Sequence, residues 1–142
     1  MATSNAATTY LENKLLAYLF KNDSGSFASP GDSIYVGLAT AVSDAEAGSL
    51  TEATFGAYAR QQVTAANWTL VSSSTDQQTV TNTNNIEYSA STGTSNTITH
   101  AFIVDAASSG NILFVGQLDA SKTIETGDIF RINAGNLTIE LK

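Results

Sequence analysis

The sequence predicts a mainly β protein: an antiparallel β-sandwich or jelly roll with one short N-terminal helix. Three observations lead there. From Thr97 to Lys142, four or five short apolar segments follow one another, separated by turn residues and without a helical period. Strands that short bury their apolar faces only against a second sheet. Charged residues make up 13% of the chain against 42% hydrophobic, so Ser, Thr, Asn and Gln must cover the surface. Threonine in particular suits the outer face of a pleated sheet. Finally, leucines recur at helical spacing once, between Thr9 and Lys21. A chain of 142 residues is long enough for one domain burying roughly 70% of its unfolded surface, and too short to give a second domain a core. We divide it into an N-terminal arm, residues 1–8, and a single sandwich domain, residues 9–142, whose helix covers about residues 9–21.

The elements follow in order. Thr9 and Glu12 have the spacing of a capping box, in which hydroxyl and carboxylate satisfy free backbone N–H groups at a helix start. Leu11, Leu15 and Leu19, flanked by Leu16 and Phe20, form one apolar face, and Lys21 suits the negative end of the helix dipole. Three turns are marginal alone, so this face must dock on the sheets or on another subunit. Residues 22–26 end the helix, and Pro30-Gly31-Asp32 turns the chain into a first strand over 33–40, with Ile34, Val36 and Leu38 on one side. Residues 43–57 are acidic, small and Gly-containing, and read as a long surface loop. Residues 58–63 and 68–71 read as strands, residues 72–85 as a polar hairpin or exposed edge, and 86–88 as a return to the core. Strands are then expected over 97–105, 111–118, 128–132 and 137–141.

Charge narrows the partners. The net charge is −7, and the six basic residues (Lys14, Lys21, Arg60, Lys122, Arg131, Lys142) are scattered. Without a basic stripe, neither a phosphate backbone nor an anionic membrane finds a counter-surface. With no cysteine, neither disulfides nor thiolate metal sites can form. No apolar run approaches the roughly 20 residues of a membrane helix. The N-terminus lacks a basic region followed by an apolar stretch, so synthesis in a cytoplasm is expected.

Chemistry-bearing patterns are sparse. His100, the single histidine, lies mid-strand on the side shared by Phe102 and Val104, with no nucleophile motif nearby. It reads as a partly buried structural residue. Asp44, Glu46 and Glu52 form the densest acidic group but lack the Asp-x-Asp-x-Asp-Gly spacing of a calcium loop. One histidine and no cysteine leave zinc without a ligand set. Arg60, beside Tyr58, reads as a strand-borne cation pairing the acidic stretch before it. No enzyme, cofactor or metal is expected.

Several segments taken together carry a resemblance. They are Tyr10–Leu16, Ile34–Ala41, Asp44–Gly48, Thr51-Glu52, Gly56–Gln61, Thr99–Leu118 and Lys122–Ile139, in that order and spacing. The series resembles a family of small tailed-bacteriophage virion proteins, labelled tail-fibre-like and in some phages similar to capsid cement or decoration proteins. The resemblance covers most of the chain and thins between Ala65 and Thr97. It implies a non-enzymatic structural role on the particle, with no catalytic residues to carry over.

A small rigid domain with a short arm and no repetitive shaft leads us to expect a cement protein on the capsid exterior. Its partners would then be the major capsid protein and other copies of itself, a trimer being one closed arrangement. The alternative is a fibre or tail-tip protein that meets host glycans through its polar loops. Tyr10, Lys14 and Lys21 on the helix, with Tyr58 and Arg60, are the candidate partner-contact residues.

Overall fold

The computed structural model describes residues 5–23, 34–72 and 78–141. The Pro30 turn, residues 1–4 of the arm and 24–26 of the helix terminator lie outside them. The described chain is mainly β, antiparallel throughout, with one α-helix.

The N-terminal arm is itself a short strand, β1 (Ala6–Ala7), and leads into α1 (Thr9–Phe20). The first long strand is β2 (Tyr35–Asp44), which turns tightly through residues 45–48 into β3 (Ser49–Glu52). Residues 43–57 are therefore a hairpin and its continuation, not the long loop expected. Ala53 and Phe55 within them are core residues. A two-residue β4 (Gln61–Gln62) is all the strand that forms in 58–63, and a single 3-10 turn (Ala65–Asn67) precedes β5 (Trp68–Ser72). After β6 (Gln78–Asn82) and β7 (Ile86–Glu87) come the two strands that dominate the fold, β8 (Asn96–Val104) and β9 (Ile112–Ile124). The chain closes with β10 (Arg131–Ile132), shorter than the 128–132 strand expected, and β11 (Thr138–Leu141).

The main sheet runs β1-β9-β8-β2-β3, with β4 also pairing β2. A three-stranded sheet, β11-β6-β5, and the β10-β7 pair lie opposite. Of the polar 72–85 stretch, expected as a hairpin or an exposed edge, residues 73–77 lie outside the described residues; β6 pairs antiparallel with β5 and is the centre of its sheet, not an edge. Threonines Thr69, Thr81 and Thr138 stand in register across that sheet, where β-branched side chains fit the pleat.

The main core lies between the sheets and includes Val36, Leu38, Phe55, Ile98 and Ile103. An aromatic line crosses it. Phe55 meets Tyr58 edge-on at 5.2 Å, Tyr58 stacks on Tyr88 at 6.1 Å, and Tyr88 meets Phe130 edge-on at 5.8 Å. A smaller core of Ala39, Ala45, Phe102, Val104 and Val115 forms as well. Consecutive residues 36–39 and 101–104 are therefore all buried, and the half-buried alternation expected of the first strand gives way to burial on both faces. Between Ile98↔Lys122 and His100↔Gln117 the β8–β9 register jumps, a bulge that bends the longer strand.

The second, polar half of the sandwich is fastened by one buried amide. Asn82 is 1% exposed. Its Nδ2 donates to the carbonyls of Asn84 (2.8 Å) and Asn133 (3.0 Å), and its Oδ1 accepts the N–H of Leu137 at 2.9 Å. Every hydrogen-bonding atom of the side chain is used. Asn82→Ala is expected to cost about 2–3 kcal/mol, because it orphans three backbone groups at once. Hydrogen exchange should speed up in β5, β6 and β11 and stay nearly unchanged in β2 and β8. A uniform change would contradict this local role.

Candidate functional site

Helix α1 starts one residue earlier than the capping-box spacing suggests. Thr8, 1% exposed, is the N-cap; its hydroxyl accepts the N–H of Leu11 at 3.3 Å and donates to the Ile112 carbonyl at 2.6 Å. The neighbouring backbone is tied too, Thr8 N–H to Leu113 O and Thr9 N–H to Glu46 O. One threonine thus caps the helix and anchors it to β9. Thr8→Val keeps the shape and loses both bonds. A loss of about 1–2 kcal/mol and a weaker helical signal by circular dichroism are expected.

Beyond this anchor the helix stands largely clear of the described domain. None of its residues is buried. Leu11, Lys14 and Ala17 are the half-exposed side, whereas Leu16, Leu19 and Phe20 are 55%, 60% and 76% exposed and Leu15 is also exposed. Four large apolar side chains on two turns are far more than the scattered surface leucine of a typical monomer. Of the contact residues expected from sequence, Tyr10 and Lys14 sit together here, the ammonium 5.8 Å from the ring centroid, and Lys21 is the exposed C-cap.

Tyr58 and Arg60 are placed differently: their polar groups are spent within the domain. Arg60 forks onto Glu52, Nε to Oε1 at 2.8 Å and Nη2 to Oε2 at 2.9 Å. Its Nη1 donates to the carbonyls of Ala106 (2.9 Å) and Ser109 (2.7 Å), and the guanidinium lies 5.4 Å from the Phe102 ring centroid. The Tyr58 hydroxyl donates to Glu52 Oε1 at 2.8 Å and accepts the Leu38 N–H at 2.9 Å. The expected pairing of Arg60 with the preceding acidic stretch is therefore present, and Glu52 is the partner. Burial pushes the Glu52 carboxyl up, but the hydrogen bonds from Arg60 and Tyr58 and the guanidinium charge outweigh it and hold it below its usual value near 4.5. Burial first, then the nearby carboxylate, raises the Tyr58 phenol, and the bond to Glu52 keeps Arg60 protonated.

His100 is buried, with Nδ1 2.7 Å from the Thr99 hydroxyl. Among the described residues, no group of three or more His, Cys, Asp or Glu side chains is placed to hold a metal ion. Among the described residues, no helix is long and apolar enough to cross a membrane.

A second surface was not foreseen from the sequence. Between β9 and the β10–β11 segment the two sheets part, leaving an open cleft whose sides include Phe114, Leu118, Ile132, Leu137 and Ile139. All five are half-buried and pack against the main core, so here the core reaches the surface. Ile129, 51% exposed, stands at its border. Nothing in the linear pattern distinguishes these residues from ordinary inward-facing ones.

Comparison with known families decides the identity. The model of the family described as podophage GP4 fiber I protein gp80 matches residues 6–140. The chain belongs to that family. The GP4 fiber I family is one of phage virion structural proteins, as the sequence resemblance implied, and the match spans the arm strand, the helix and strands of all three sheets. No curated protein matches the chain.

Proposed function

We propose that this protein is a non-enzymatic structural subunit of the phage's fibre apparatus, acting through surface contacts. The observation that carries this reading is the match of residues 6–140 to a family described as a fibre protein. Two features of the molecule support it. The best-formed polar cluster, Glu52, Tyr58 and Arg60, bonds inward and leaves no polar pair facing a substrate. The most exposed apolar surface is a projecting helix, which suits docking rather than catalysis. Host glycans would meet the polar β5–β6 hairpin in this arrangement.

A second reading, a cement protein on the major capsid protein, draws on the compact sandwich with its anchored, projecting helix. A cement subunit needs a small domain able to pack on symmetric neighbours. Immunogold labelling of purified particles with an antibody to this chain separates the two. Gold at the tail end is the expected result. Gold spread over the head supports the cement reading, and particles without gold contradict both.

A further inference from the structure

We infer that copies of this chain associate head-to-tail, the exposed face of α1 from one copy seating in the cleft between β9 and β10–β11 of the next. Among the described residues, two exposed apolar surfaces of opposite shape stand out. One is convex, the Leu15–Leu16–Leu19–Phe20 face; the other is concave and continuous with the core at Phe114, Leu118 and Ile139. A helix of 12 residues is about 18 Å long, within reach of a cleft that follows β9 from Phe114 to Ile124. An amphipathic helix laid in an apolar groove is a recurrent way for a protein to be recognised.

Charge points to the same occupant. Over residues 9–21 the helix and its cap carry Lys14 and Lys21 against Glu12, a net +1 in a chain of −7, which leaves −8 on the remainder. The residues lining the cleft include Asp119, Asp128 and Glu140 against Lys122 and Arg131, a net charge of −1. A slightly basic, apolar helix therefore meets a slightly acidic, apolar groove. The two surfaces are different patches, so the contact is heterologous, and repetition gives an open chain of subunits or a closed ring. This inference deepens the structural reading above, but the two can fail separately. A subunit that does not self-associate can still be incorporated into particles, which the gold labelling reports.

Sedimentation of the full chain and two variants tests it. An interface built on one short helix is small, so association of the wild type is expected at concentrations on the order of 100 μM rather than nanomolar. Leu16→Asp/Leu19→Asp disables the helix face, and Ile129→Asp, at an exposed position, disables the cleft. Asp119→Lys serves as a second cleft variant should Ile129→Asp melt early. Each variant alone is expected to be monomeric. Mixed in equal amounts they are expected to form a 1:1 dimer, because one intact helix and one intact cleft remain. A wild type monomeric to about 1 mM overturns the inference. So does a cleft variant that associates like the wild type, which would mean a symmetric helix-on-helix contact.

Discussion

Arg60→Ala is expected to lower stability by about 3 kcal/mol, near the lower end for removing one partner of a buried ion pair. For a domain of this size that is a fall in Tm of about 10 °C. The Arg60 side chain is 9% exposed, and its guanidinium binds a carboxylate, two carbonyls and an aromatic face, none of which alanine replaces. Glu52, with 32% of its side chain exposed, can recover some solvent, which keeps the loss from being larger. The cluster also fixes the direction of a pH effect. The Glu52 carboxyl titrates lower in the folded protein than in the unfolded chain. Its stabilisation is therefore complete above the unfolded value near 4.5 and is lost as the pH falls through the lower folded value. The stability gap between wild type and Glu52→Gln should be widest near neutrality and shrink below about pH 4.5. Urea unfolding across that range measures it; a gap independent of pH would mean that the charge of Glu52 contributes nothing.

Gly37→Ala is expected to cost about 3 kcal/mol, the upper end of ordinary overpacking. A methyl group at position 37 would lie 2.2 Å from Phe102 Cζ and 2.6 and 2.7 Å from its Cε atoms. The ring has little room to retreat, since Phe102 is 1% exposed and its ring lies 5.4 Å from the Arg60 guanidinium. The glycine is thus required by close approach in the middle of β2, not by a turn. Gly37→Ala combined with Phe102→Leu should be more stable than the sum of the two single losses implies, by more than about 1 kcal/mol. Additive losses in that cycle would show that the two positions do not oppose each other.

How far each part could be read in the sequence depends on how local its cause is. The helix, the strands β8 and β11 and the first half of β9 announce themselves because their apolar spacing is local and their turns carry Gly, Asn and Ser; β9 runs on to Ile124, past the expected end at 118, through residues with Ile124 as their one buried position. The 43–57 segment hid its hairpin because β3 contributes only Leu50 as an aliphatic. The core position of Phe55 is set from 41 residues away. Asn96 Oδ1 accepts the N–H groups of Thr54 and Phe55 at 2.6 and 2.8 Å, and no local pattern encodes that. Asn82 was invisible for a related reason: in a tract of Thr, Asn and Gln, the one buried amide looks like its solvated neighbours.

The contact residues divide in the same way. Tyr10, Lys14 and Lys21 lie on or at the end of a helix whose spacing the sequence shows, and the helix leaves them at or near the surface. Tyr58 and Arg60, also expected at a contact, turn their polar groups onto Glu52 within the domain, the pairing that the sequence suggested for Arg60. The cleft had no signal at all, since it exists only where two sheets part.

The central claim is that this chain is a structural subunit of the fibre apparatus. Its copy number per purified particle, by quantitative mass spectrometry against the major capsid protein, tests that most directly. A few to a few dozen copies is the result expected of a fibre component, because the tail offers few symmetric positions. A count on the order of hundreds would contradict it, since only the capsid lattice has that many equivalent sites.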